Sequence, residues 1–296
     1  MEKDYDFRNT SELLGLCEKY GMSISEVMIQ REMQLGKVSW DAVIERLDDS
    51  LRIMDGAANR AYEEPVASMG GLLGGEARRM HEFPRAYSVL GSTLHKAVMF
   101  ALAIAETNAS MGVIVAAPTA GAAGVVPAAL LAVHEDKDIS VDALRMALIN
   151  ASAIGYIITR NGSVSGAEAG CQAEVGSASA MAASAVTELL GGTPEQCCQA
   201  ASIALSSLLG LVCDPVRGLV EVPCQTRNTI GVAGAFTAAE LALSGISFPV
   251  PLDEMIQTVS DVGRMMPESL RETGLGGCAA APSVCSGCTA ASSFSS

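Results

Sequence analysis

The sequence predicts an all-helical fold, a multi-helix domain with cysteine-bearing loops at helix ends. Three observations predict it. Apolar residues make up 49% of the 296 and aromatics only 4%, so the core is built from Ala, Leu, Val, Ile and Met. Ala and Leu are strong helix formers, and small side chains let helices approach closely. Ser or Thr repeatedly precedes a run with helical apolar spacing, and no stretch holds a strand-like alternation.

Taken in order, Ser11 is positioned to cap a first helix to about Tyr20, with Gly21 as its stop. Ser25-Glu26 opens a second, ending near Leu35-Gly36. Ser39 caps a third, whose Trp40, Val43, Ile44, Leu47 and Leu51 recur on one face. Gly56 to Pro65 reads as a linker. This divides the chain into a helical appendage (1–55), a main domain (56–275) and a tail rich in Gly, Ala, Ser and Cys (276–296), expected to be mobile. Ser68 to Gly75 holds four glycines in six positions from Gly70, which suits either anion binding through successive amides or a plain turn.

A helix from Ser92 to Thr107 carries His95 and Glu106. Pro118, Thr119, Ala120 and Gly121 then break an apolar context. Two readings stand: a loop whose amides meet a substrate carboxylate, or a connection between core helices. Ser140 caps a helix to about Arg160, and Ser177 is expected to cap the next, which Gly191-Gly192 stops. Thr193-Pro194-Glu195-Gln196 is a capping box with proline at the first helical position. Cys197 and Cys198 follow inside that helix as core residues. Helices over Asn228–Leu243 and Leu252–Met265, and a short one after Pro267, complete the chain.

The net charge is -14 and no lysine follows Lys137, which argues against nucleic acid as a partner. No charged segment precedes an apolar run at the start, so no leader is expected. Met111 to Val133 is long enough to span a membrane, but Pro118 and Pro127 break it, and a buried core segment is expected. Nine cysteines without a compact disulfide pattern fit a reducing, cytoplasmic setting.

Three cysteines stand out. Cys171, Cys213 and Cys224 each lie among Gly or Pro near a helix end, separated by 42 and 11 residues. Helix N-termini after Cys171 and Cys224 would stabilise thiolates. We read the three as holders of an iron–sulfur cluster, with inert buried thiols as the bland alternative, because the intervals match no ferredoxin run. Glu168 and Glu174 flank Cys171 and could orient ligands; Arg227 and Asn228 follow Cys224 and could bind a carboxylate. Capping or surface charge would also explain these four. His81, His95 and His134 read as structural or exposed, and no general base is identifiable.

The segments Ser165–Glu174, Cys213-Asp214-Pro215-Val216, Val222-Pro223-Cys224 and Arg227-Asn228 resemble the iron–sulfur-dependent L-serine dehydratases, in particular the alpha subunit of the two-subunit form. Ala117–Gly121, Gly74–Ala77 and Arg271–Gly277 fit the same family. The resemblance implies a helical catalytic domain with a [4Fe-4S] cluster on Cys171, Cys213 and Cys224, one iron left open for L-serine, and a beta subunit that completes the site. Elimination there would yield pyruvate and ammonium. Cys278, Cys285 and Cys288 depart from the pattern; they read as incidental thiols in the tail, against a displaceable fourth ligand. A cysteine desulfidase on the same domain and a non-catalytic iron–sulfur sensor or carrier are the rival readings. A pyridoxal-phosphate enzyme is disfavoured because none of the five lysines sits beside a phosphate-type loop.

Overall fold

Serines and alanines pack around α9 (Ser177–Leu189), whose residues are buried from Ser177 through Thr187. A helix buried on all faces needs small side chains to admit its neighbours, and its hydroxyls need partners, which all but the buried Ser177 hydroxyl find. Ser179 donates to the Gly231 carbonyl, Ser184 to the Asn150 side chain at 2.7 Å, and Thr187 back to Ala183. In a computed structural model that describes residues 4–284, α9 is surrounded by α6 (Val125–Asp136), α7 (Val141–Asn161), α10 (Pro194–Ser207) and α11 (Cys224–Leu243).

The remaining α-helices among the described residues are α1 (Thr10–Tyr20), α2 (Ile24–Gly36), α3 (Trp40–Glu63), α4 (Glu76–Glu82), α5 (Gly91–Ala109), α8 (Gly166–Ala169) and α12 (Leu252–Met265). The all-helical expectation holds: among those residues there is no strand, only an isolated bridge between Cys213 and Arg271. One helix, α7, is long and apolar enough to cross a membrane, but 61% of that window is buried against other helices.

Most expected caps form. Ser39 accepts from the Ala42 amide, Ser140 from Ala143, and Thr193 and Gln196 close their box. Two caps move: Asn9, not Ser11, caps α1, and Ser23, not Ser25, caps α2. In each case the extended residue lies three before a glutamate: Glu26 accepts from the Ser23 amide to close a capping box, whereas Glu12 accepts from the Arg8 amide one residue before the cap, and Ser25 becomes a buried first-turn residue. Ser177 is not a cap either, because a π turn over Gln172–Gly176 runs directly into α9.

The linker expected at Gly56–Pro65 is a correction of more consequence. α3 continues through Glu63, burying Ala57, Ala58 and Ala61. Three alanines on one face outweigh the single glycine, and no proline intervenes before Pro65. The 55/56 boundary thus falls inside a helix, and residues on both sides of it share one hydrophobic core. The tail expectation also changes at its start. Gly277–Ala280 forms a 3-10 turn packed on the turn Val216–Gly218, with the Cys278 amide donating to Asp214. Cys285 and Cys288 lie outside the described residues.

Candidate functional site

Three chain segments bring Cys171, Cys213 and Cys224 together. Gly170, at φ 76°, makes the turn that ends α8, and Cys171 then leads into the π turn. Cys213 is held in extended backbone on both sides: its amide donates to the Leu270 carbonyl at 2.9 Å, and its carbonyl accepts from Glu272 at 2.7 Å. Cys224 is the first residue of α11 rather than a residue before it, so its side chain stands at the positive end of a 20-residue helix. Cys171 and Cys213 are buried and Cys224 is half-buried.

The electrostatics follow from that burial. Burial pushes the Cys171 thiol up to about 11, with Glu174 adding to it and Arg227 opposing. Cys224 is pushed up to about 12 by burial and then by Cys171 and Glu174. Cys213 rises furthest, by burial, by Glu174 and by the other two cysteines. Cys171 and Cys224 both raise Cys213, and Cys171 raises Cys224, so the three thiols ionise together only beside positive charge.

Glu174 lies among them. Thr119 Oγ1 donates to it at 2.9 Å, the Cys213 sulfur approaches at 3.5 Å, and burial raises its carboxyl above the usual range. Arg227 donates to the Val212 carbonyl and pairs with buried Asp214, both at 2.7 Å; the Cys171 and Asp214 charges hold it protonated against burial. Asn228 is fully engaged. Its amide donates to the Gly121 and Cys224 carbonyls at 2.7 and 2.8 Å and accepts from Gly124 at 2.9 Å. Asn228 therefore fastens the Pro118–Gly121 loop to the start of α11. In that loop Gly121 lies beside Glu174, and the Ala120 carbonyl accepts from Asn108.

Glu168 is elsewhere: it is exposed and accepts from Ser163 at 2.5 Å, so it closes its own loop. No histidine joins the thiols. His95 bonds to Ser88 and Met80, His81 stacks on Tyr62, and His134 lies in the last turn of α6. Two site residues went unrecognised in the sequence, Asp214 and Glu272. The acid directly after Cys213, with Arg227 in the next motif, was the available signal for Asp214. Glu272 reaches Cys213 only through the return of the chain after α12. A cavity of about 240 Å³ backs the Ala117–Pro118 edge, between α3 and α7, and none of the three cysteines lines it.

Among the described residues no three of His, Cys, Asp or Glu are spaced to hold a single metal ion. A polynuclear group asks for something else: room, and sulfurs that each reach a different metal atom. Gly166 shows how closely the backbone approaches those sulfurs: an added Cβ would fall 2.8 Å from the Cys213 sulfur and 2.5 Å from Glu174 Oε2, so only glycine leaves these two side chains their places.

The family model described as "Serine dehydratase alpha chain" matches residues 19–279. The chain belongs to the serine dehydratase alpha chain family. It is 46% identical over 277 residues to a probable L-serine dehydratase alpha chain of Bacillus subtilis, covering 93% of this chain and 92% of that protein. To the L-serine dehydratase alpha chain of Peptoniphilus asaccharolyticus it is 41% identical, covering 90% of this chain and 92% of the other. The L-serine dehydratase of Helicobacter pylori is longer: at 40% identity, the match covers 93% of this chain but only 62% of that protein. All the residues named in the thiol site fall inside the stretch that the alpha chain family model matches.

Proposed function

We propose that this chain is the alpha subunit of an L-serine dehydratase, a cytoplasmic lyase that works with a beta subunit to convert L-serine to pyruvate and ammonium. The observation that carries this reading is the convergence of Cys171, Cys213 and Cys224 from three segments of a chain in this family. An all-sulfur donor set of two buried thiols and one half-buried one, each raised above its ordinary value, suits a soft, positively charged group. A [4Fe-4S] cluster on the three would supply an iron open to substrate, Lewis-acid chemistry that eases loss of the serine hydroxyl.

The chain's own residues set the stage for that loss. Arg227, anchored on Asp214, puts a fixed cation against Cys171 and favours its thiolate. The N-terminus of α11 does the same for Cys224. Thr119 holds one Glu174 oxygen, which leaves the other facing Cys213. Asn228 keeps the Pro118–Gly121 loop closed on α11, so the substrate-binding role proposed for that loop falls to its backbone, with Asn228 as a positioning residue. The reaction removes the α proton and the β hydroxide; the resulting aminoacrylate tautomerises and hydrolyses. The proton acceptor is assigned to the beta subunit, since no histidine stands at the thiols.

The test is iron and acid-labile sulfide per chain after anaerobic reconstitution, with pyruvate release measured beside the beta subunit. About four of each per chain, lost in Cys213→Ala together with pyruvate formation, is the expected result. Unchanged iron in that variant would refute the assignment.

A further inference from the structure

Four large apolar side chains stand exposed at one edge of the thiol site. Met69 is 72% exposed, Met111 75%, Val113 72% and Val220 38%. Contacts through their neighbours join them into one rim. The Met69 amide donates to the Ala109 carbonyl at 3.0 Å, two residues before Met111. The neighbouring Gly70 packs against Leu219, and Val220 packs against Gly121, which in turn touches Glu174. Through Gly121 the rim reaches Glu174, whose other oxygen faces Cys213. Leaving such a patch in water beside a charged site is unfavourable, and patches of this kind mark interfaces.

We propose that this rim is where the beta subunit docks, an inference that rests on the reading of the chain as an alpha subunit. Two observations select that occupant. More than a third of the Helicobacter pylori L-serine dehydratase lies beyond the region matched by this chain, so a relative carries additional protein on the same polypeptide as its alpha-like part. The rim is also flanked by cations in a chain of net charge -14: Arg217 donates to the Gly70 carbonyl at 3.4 Å, and Arg60 lies against Gly112. A second copy meeting the same patch about a two-fold axis would bring like charges together. A different subunit with an apolar patch edged by carboxylates fits both features, and once seated it excludes water from the thiols.

The full-length chain and its beta subunit are mixed and their association measured by sedimentation, alongside pyruvate release from L-serine. Met69→Asp/Val113→Asp is expected to weaken association at least tenfold while keeping wild-type iron content. Arg217→Glu is expected to weaken it less and to lessen its salt dependence. Ile246→Asp, at the opposite end of α11 and about 30 Å from Cys224, is the control and should bind as wild type. Hydrogen exchange on the wild-type complex provides a measurement independent of any variant, with slowed exchange expected at 69–72 and 111–113. Protection confined to other surfaces, or full association by the double variant, overturns the rim. So does a rim variant that dissociates a homodimer yet still binds the beta subunit. A wild-type complex that forms through the rim but releases no pyruvate overturns the functional reading and leaves the docking surface standing.

Discussion

Glu221 and Glu106 show what a glycine-rich loop does when the protein supplies its own anions. The buried Glu221 carboxylate accepts from Ser68 Oγ at 2.7 Å and from the Gly70 and Leu72 amides at 2.6 and 3.1 Å. Glu106 accepts from Gly75 and Ala77. Anion binding by this segment was one of two readings open from the sequence, and the structure fills the amides with internal carboxylates, one from the last turns of α5 and one from just before α11. Glu106 also has a titration consequence. Burial, reinforced by the facing Glu76, pushes its carboxyl up to about 7 from an ordinary 4.5, while Glu76 stays charged and pairs with Arg79. A raised carboxyl binds its proton more tightly in the folded state. Its stabilisation is therefore complete below about pH 4.5 and is lost as pH rises through about 7. Glu106→Gln should flatten that slope, by on the order of 1–2 kcal/mol after allowance for screening. Thermal melts between about pH 5 and about pH 8 read it; parallel curves for wild type and variant would refute the assignment.

At the scale of elements, the site is an assembly of helix ends fastened by one asparagine. Asn228→Ala leaves the Gly124 amide and the Gly121 and Cys224 carbonyls without their partner. Such losses cost about 1–3 kcal/mol. Thr193→Ala, which opens the capping box of α10 away from the thiols, costs about 1 kcal/mol and is the comparison. The expected outcome is that both variants lower the melting temperature, and that only Asn228→Ala also lowers reconstituted iron. Equal iron in the two would reduce Asn228 to a plain core residue. The same contrast explains which elements were legible. Caps are local, a hydroxyl and an amide three residues apart, so Ser39, Ser140 and Thr193 could be read directly. α11 starts at Cys224, four residues before the Asn228 expected from the sequence, with Pro223 just ahead of it. The π turn after Cys171 has no sequence pattern of its own. The clamp on Cys213 by Leu270 and Glu272 joins residues nearly sixty apart, and only the return of the chain after α12 creates it. The cysteine ligand set itself was legible chiefly through family resemblance, since the intervals carry no helical or strand period.

At the scale of the molecule, the first three helices belong to the core they were expected merely to append. Leu13, Ile24, Val27 and Ile29 are buried in the same cluster as Ile154 and Val186. Arg31 lies 4.0 Å from the centre of the Tyr156 ring and pairs with Asp6 at 3.0 Å. Ser25 donates an amide to Glu188 on α9, whose carboxyl burial already raises, and Thr10 donates to Asp253 on α12 at 2.8 Å. Removing residues 1–38 would strip the apolar cover from α7 and leave Glu188 with only Asn150 as a donor. Each of the four large aliphatic side chains contributes about 1.5–3 kcal/mol by burial. Together they rival the whole stability of a typical domain, about 5–15 kcal/mol. A chain beginning at Ser39 should therefore show no cooperative thermal transition in conditions where the full chain does, by circular dichroism and calorimetry. A sharp melt in the truncated chain would restore the division near residue 55. Without one, the helices that precede the thiol site in sequence are part of what holds it in place, because α2 supports α7, and α7 and α9 together carry the layer on which Cys171 is mounted.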